Sequence, residues 1–319
     1  MLNLGFVSAI LPDYDLHSVL KFAAEHGFGC VEIMCWPTAS SDGRRYAGMS
    51  HIDVDNLDVE AIQFLCHKYG VAISGLGYYP NPLDANAQQA EIAREHIKKL
   101  IRAAAKLTRP DVVGLPHHRH SGSVPVVNTF LGRNPTLSVA DNLKLVAEHW
   151  PAIVREAEAH NVNIGIENCP MWFTDDEWPG GKNLMTTPAI WDRVFEIIPS
   201  RALGLNYDPS HLIWQMMDEV KPIYDYHDRL HHIHLKDAKI YRDRLDRVGI
   251  MANPLAYHSP KLPGLGDVRW GSFFAALTDV RYRGPVCIEV EDKAYESSPD
   301  DVKTAILTAR NYLRQFVPD

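Results

Sequence analysis

The sequence predicts an α/β protein, a single (β/α)8 TIM barrel over residues 1–319 with long βα loops on its C-terminal face. Strand-like and helix-like runs alternate through all 319 residues, which implies a parallel sheet closed on itself. Four strand-like runs in the second half each carry an acid or an imidazole near their end, on one phase of their alternation. A two-domain doubly wound arrangement would want a Gly-rich phosphate fingerprint after the first strand, and FVSAILPD carries none.

In chain order, the opening MLNLGFVSAILPDYD is apolar but lacks a basic leader and a small-residue cleavage site, so it reads as a first strand at 3–8. Further strands are expected at 30–35, 71–77 and 111–115, with helices at 15–26, 57–69 and 86–107 between them. The second half continues with strands at 162–167, 202–207, 230–235 and 285–290. Its helices are expected at 138–160, 188–198, 212–228, 271–280 and 300–316. Long loops fall at about 36–56, 116–137, 168–187 and 236–270, each after an expected strand, hence on the face that carries the active site in such barrels.

Composition bounds the function. Lys and Arg number 32 against 40 Asp and Glu, a net charge of −8, which argues against a broad nucleic-acid surface. No apolar run reaches transmembrane length, so no membrane partner is expected. Five cysteines, Cys30, Cys35, Cys66, Cys169 and Cys287, form no CxxC pair and read as free thiols in a reducing cytoplasm.

The four polar-tipped strands define the candidate site. In NVNIGIEN, Asn163, Gly165 and Glu167 share one face, and in RALGLNYDPSH, Gly204, Asn206 and Asp208 do. In RLHHIHLKD the shared face carries His232, His234 and Lys236, and in PVCIEVED it carries Cys287, Glu289 and Glu291. One strand-end acid is ordinarily a cap or a rim ion pair. Four such residues on the inward phase point to a single metal site of Glu167, Asp208, His234 and Glu289. That oxygen-rich set suits one divalent ion, Mn²⁺ first, with Mg²⁺, Co²⁺ or Zn²⁺ as alternatives, and no thiolate is expected to contribute.

Here the chain resembles a known group, the xylose-isomerase-like barrels of the sugar phosphate isomerase/epimerase superfamily. The resemblance is strongest in IGIEN, NYDPSH, HIHLKD, LPGLGDVRW and CIEVED. It implies that Glu167, Asp208, His234 and Glu289 hold one divalent ion. It also implies that Glu167 and Glu289 shuttle a proton at a carbon next to a carbonyl, through an enediolate, as in the superfamily's ketose 3-epimerases. The substrate class is a ketose, an inosose or a keto-glycoside, with no phosphate motif apparent. His211 is expected to contact substrate oxygens or to serve the helix start after Asp208, and Lys236 to hold a substrate oxygen or pair with an acid. Arg242 matches a substrate-binding position of related epimerases, and Glu291 is expected at the rim as ligand support or ion pair. His232 reads as a deep supporting residue, and Glu32, inward on strand two, as a partner for a substrate hydroxyl or a loop. Within PHHRH, His117 and His118 are candidates for the pocket, or with His120 for a second metal. Trp36, Tyr78, Tyr79, Trp172 and Phe173 suit stacking on a sugar ring or packing under loops. The resemblance also implies a homodimer or homotetramer, assemblies common among relatives.

Two other readings compete. A metal-dependent lyase acting by elimination on a 3-keto-glycoside, like the C-glycoside deglycosidases, would use the same base and assemble as a hetero-oligomer. An apurinic-endonuclease relative would hold more metal, for which His211, His258 and the PHH cluster stand in suggestive places. Strand three ends instead in GLGYYP, without a histidine.

Overall fold

The computed structural model describes residues 2–37, 49–107, 125–171 and 178–317. Eight parallel strands close into a barrel: β1 (Asn3–Val7), β2 (Cys30–Met34), β3 (Ala72–Gly77), β4 (Val126–Thr129), β5 (Asn163–Glu167), β6 (Leu203–Tyr207), β7 (Leu230–Leu235) and β10 (Pro285–Ile288). They neighbour one another in that order, and β10 pairs with β1 to complete the ring. Between them run α1 (Leu16–Glu25), α2 (Val59–Tyr69), α3 (Ala87–Leu107), α4 (Val139–His160), α5 (Pro188–Ile197), α6 (Ser210–Ile213), α7 (Lys221–Asp225) and α9 (Trp270–Asp279), with α10 (Pro299–Leu313) last. After β7 an antiparallel hairpin, β8 (Asp237–Ile240) and β9 (His258–Lys261), encloses α8 (Arg242–Val248). No helix among the described residues is long and apolar enough to cross a membrane.

Local chemistry sets the helix ends. Asp15, Asp58, Ser138 and Ser298 accept backbone N–H bonds from the first turns of α1, α2, α4 and α10. Gly70 at φ 65° and Asn161 at φ 51° end α2 and α4 in the left-handed conformation. The outward strand phase, with Ile164, Ile166, Leu203, Leu205, Ile233, Leu235, Val286 and Ile288, is buried against the helices in the main core. The other phase faces the barrel axis.

Three expectations change. The fourth strand is Val126–Thr129, not 111–115, which lies outside the described residues with the PHHRH cluster. Asn128 on this strand occupies the space left by glycines on both neighbours: a Cβ on Gly75 would come within 3.0 Å of its amide, and one on Gly165 within 2.5 Å. The stretch carrying His117 and His118 therefore precedes strand four in the chain and does not follow it. The helix expected over 212–228 is broken into α6 and α7, because Met216 turns at φ 60° and Pro222 cannot continue a helical ladder. The 236–270 loop contains the β8–β9 hairpin.

Two stability predictions arise here. Gly204 faces inward, and a Cβ there would lie 2.2 Å from the Arg229 carbonyl oxygen and 2.5 Å from the His231 ring. Gly204→Ala is expected to cost about 1–3 kcal/mol through overpacking; an unchanged urea midpoint refutes it. Burial pushes the imidazoles of His51, His96 and His258 below their ordinary 6.5, the last to about 4. Because the folded values lie below the unfolded one, the unfolded chain takes up protons first as the pH falls. Their stabilisation is complete above about pH 6.5 and drains away towards pH 4. The melting temperature is therefore expected to fall between pH 7 and 5, and less steeply in His96→Gln, whose parent ring bonds the Cys35 carbonyl at 2.7 Å.

Candidate active site

Four consecutive barrel strands, β5, β6, β7 and β10, bring Glu167, Asp208, His234 and Glu289 to one end of the barrel. Asp208 and Glu289 lie one residue beyond their strands, while Glu167 closes β5. His234 is fully buried, and its Nδ1 stands 3.7 Å from Glu167 Oε1 and 3.4 Å from Glu289 Oε2. His211, from α6, places Nε2 3.2 Å from Asp208 Oδ2 and 3.5 Å from Glu167 Oε1. The Lys236 ammonium lies among three carboxylates, 2.7 Å from Glu289, 3.0 Å from Glu291 and 3.1 Å from Asp208.

The charges are strongly coupled. Burial alone would raise the Asp208 carboxyl, but Lys236 and His211 draw it down to about 2. Glu167 is likewise held far below the carboxylate range against its burial, by His211 and His234. Burial disfavours the charged forms of Lys236 and His234, yet the surrounding carboxylates hold both well above their ordinary values. Burial and the neighbouring Glu289 raise the Glu291 carboxyl.

The site fits a cation. Asp208 Oδ2, His211 Nε2 and His234 Nδ1 are buried without a hydrogen-bond partner, a costly state that a metal ion relieves. Glu167, His234 and Glu289 each offer a donor atom, all within 4.8 Å of one another. Oxygen and imidazole donors of this kind suit a divalent ion that retains open positions for substrate.

A layer beneath fixes these groups. Asn168 ties the ends of β5 and β6 together, accepting from the Asp208 N–H and donating to its carbonyl, both at 2.8 Å. Asp208 Oδ1 accepts from Ser210 N–H at 2.8 Å, so one oxygen serves the start of α6 and leaves Oδ2 for the site. Glu32 is fully buried and, through Tyr79, meets the loop that follows β3. Its Oε2 lies 2.6 Å from His234 Nε2, and its Oε1 accepts from the Tyr79 hydroxyl. Asn206 lies 3.1 Å from that hydroxyl and 2.9 Å from His232 Nδ1, and His232 Nε2 reaches Ser74 Oγ at 3.1 Å. A carboxylate on the far nitrogen of a ligating histidine fixes its tautomer and orientation.

Other expected positions fall elsewhere. Arg242 sits on α8, and its guanidinium pairs with Asp246 at 2.9 Å in an exposed i,i+4 contact. It starts the helix that the β8–β9 hairpin encloses. Tyr79 is spent on Glu32, and Trp36 and Tyr78 meet edge to face at 4.8 Å. His117, His118, Trp172 and Phe173 lie outside the described residues. His258, on β9, stacks on Trp214 at 5.5 Å and bonds the Pro254 carbonyl at 2.6 Å through Nδ1. Cys169 departs from expectation: its sulfur lies within 4.8 Å of ligand atoms of Glu167 and His211.

Sequence reasoning missed Asn168 and gave Asn206 its inward face but no role, since their amides act through neighbouring groups and follow no ligand spacing. The Asn after Glu167 in IEN was the available signal for the first.

With this geometry in place, comparison with known proteins gives the class. The model of the xylose isomerase-like TIM barrel matches residues 20–315, and the chain belongs to that family. Among particular relatives, the uncharacterised protein YfiH of Bacillus subtilis is 26% identical over 316 residues, covering 91% of this chain and 93% of its own. Inosose dehydratase of Geobacillus kaustophilus is 26% identical over 133 residues, and this match spans only about two-fifths of each protein, 40% here and 41% there. The crystal structure of D-psicose 3-epimerase with D-tagatose from Clostridium cellulolyticum superposes with a TM-score of 0.67 at 15% identity, covering 99% of both chains.

Proposed function

We propose that this chain is an enzyme that moves a proton at a carbon next to the carbonyl of a sugar or cyclic polyol ketone, with one divalent ion, Mn²⁺ first. The observation that carries this is the pair of carboxylates Glu167 and Glu289. They reach the same His234 nitrogen from strands three steps apart around the barrel. Glu167, Asp208, His234 and Glu289 would hold the ion, which supplies electrophilic stabilisation of the substrate oxygens as negative charge develops there.

The chain's own groups do the rest. One carboxylate takes the carbon-bound proton, and the other returns a proton from the opposite side. His211 holds Glu167 and Lys236 holds Glu289, so each shuttle has its own cationic neighbour. Lys236 and Glu291 would grip substrate hydroxyls. A free ketose, inosose or keto-glycoside without phosphate suits so acidic a site.

Elimination is the second reading. The partial match to inosose dehydratase favours it, because loss of water beside a ketone begins with removal of the adjacent proton. The experiment is solvent-deuterium exchange with Mn²⁺ into a panel of ketoses, inososes and 3-keto-glycosides. Deuterium at one carbon with conserved mass identifies epimerisation or isomerisation; loss of water or an aglycone identifies elimination. No exchange in any of them refutes the proposal.

A further inference from the structure

The proposed chemistry uses one face of Glu167 and leaves its other neighbours unexplained. Glu167, Cys169 and His211 offer a carboxylate oxygen, a thiol sulfur and an imidazole nitrogen, all within 4.8 Å of one another. His211 is only 8% exposed, and its Nε2 has no hydrogen-bond partner. Asp208 Oδ2, which accepts no hydrogen bond and lies 3.1 Å from the Lys236 ammonium, stands 3.2 Å from that nitrogen.

The backbone treats the Cys169 sulfur as an acceptor. Met171 adopts φ 55°, rare for a side chain of its size, and directs its N–H onto Sγ at 3.3 Å. Asn183 pins the same turn, donating to the carbonyls of Glu167 at 2.8 Å and Cys169 at 2.6 Å. Cys169 is also the only one of the five cysteines that is not buried.

We propose that Glu167, Cys169 and His211, with Asp208 beside them, form a second cation position, adjacent to that of His234 and Glu289 and sharing Glu167 with it. A thiolate, an imidazole and carboxylate oxygens select a thiophilic ion such as Zn²⁺ or Co²⁺ over Mg²⁺ or Mn²⁺. On binding, the Cys169 thiol gives its proton to solvent and its sulfur takes up the metal bond. This goes beyond the proposed function, needing the shared carboxylate but no sugar chemistry.

The test titrates the full chain, stripped by chelator, with Co²⁺. Two equivalents per chain are expected, with a sulfur-to-cobalt charge-transfer band in the near ultraviolet. Cys169→Ser should bind one equivalent without the band, whereas His234→Asn should keep the band. Independently, a thiol reagent should label one cysteine in the native metal-free chain and none after Zn²⁺ is added. That readout needs no variant and decides the matter if Cys169→Ser fails to fold. One equivalent in the wild type, a second equivalent without the band, or thiol labelling indifferent to Zn²⁺ overturns the inference. Binding of one Mn²⁺ with active proton exchange but no thiolate signal leaves the proposed function standing. Loss of all metal binding removes both.

Discussion

Glu167→Gln and Glu289→Gln are each expected to lower substrate deuterium exchange by about 10²–10⁴-fold, the range for loss of a positioned acid or base. Glutamine preserves shape and removes the charge that accepts the proton. Glu167 is held strongly ionised by His211 and His234, the state a base requires. Glu289 lies 2.7 Å from the Lys236 ammonium, which fixes its position. The two variants should differ in kind as well as in size. In an epimerase each acts on one epimer's proton, so exchange from the two epimers should fall unequally. Metal content measured beside exchange separates loss of a base from loss of a ligand. Retention of most exchange in both variants, with metal bound, eliminates the assignment.

The outward phase of the strands was legible because period-2 alternation follows from the pleat, and Ile164, Leu205, Ile233 and Ile288 all enter the core. The inward phase that grouped Glu167, Asp208, His234 and Glu289 rests on the same geometry. Strand four was not legible. Residues 111–115 and 125–131 are both short Val-Val runs, and only tertiary context, Asn128 against Gly75 and Gly165, distinguishes them. Arg242 was displaced by a hairpin whose pairing of Asp237 with Lys261 spans a long separation that local pattern cannot reveal. Cys169 was missed for a different reason. It lies two residues beyond β5, where strand phase no longer applies, and the turn through Met171 sets the direction of its sulfur. Glu32 was correctly inward, but its partner, more than two hundred residues away, could not be read from its own strand.

Glu32→Leu should weaken binding of the divalent ion at His234 by about 10–100-fold, the usual effect of losing the carboxylate behind a histidine ligand. Glu32 Oε2 takes up the Nε2 side of His234 at 2.6 Å, which leaves Nδ1 as the nitrogen facing Glu167 and Glu289. Leucine removes that acceptor while filling much of the same volume. The ring can then adopt the other tautomer and place a proton where the ion must bind. Tyr79→Phe is the control, since it deletes the hydroxyl that Glu32 also accepts but leaves the bond to His234. Its effect on affinity should be several-fold smaller. The same changes separate positioning from stability. Glu32→Leu takes the carboxylate acceptor from both the His234 N–H and the Tyr79 hydroxyl and leaves only their mutual contact at 3.4 Å, at a cost of about 1–3 kcal/mol, so the metal-free chain should lose stability as well. Competition against a chelator of known affinity reads the first effect and urea unfolding of the stripped chain the second. If affinity is unchanged while stability falls, Glu32 is a structural residue and the tautomer argument fails.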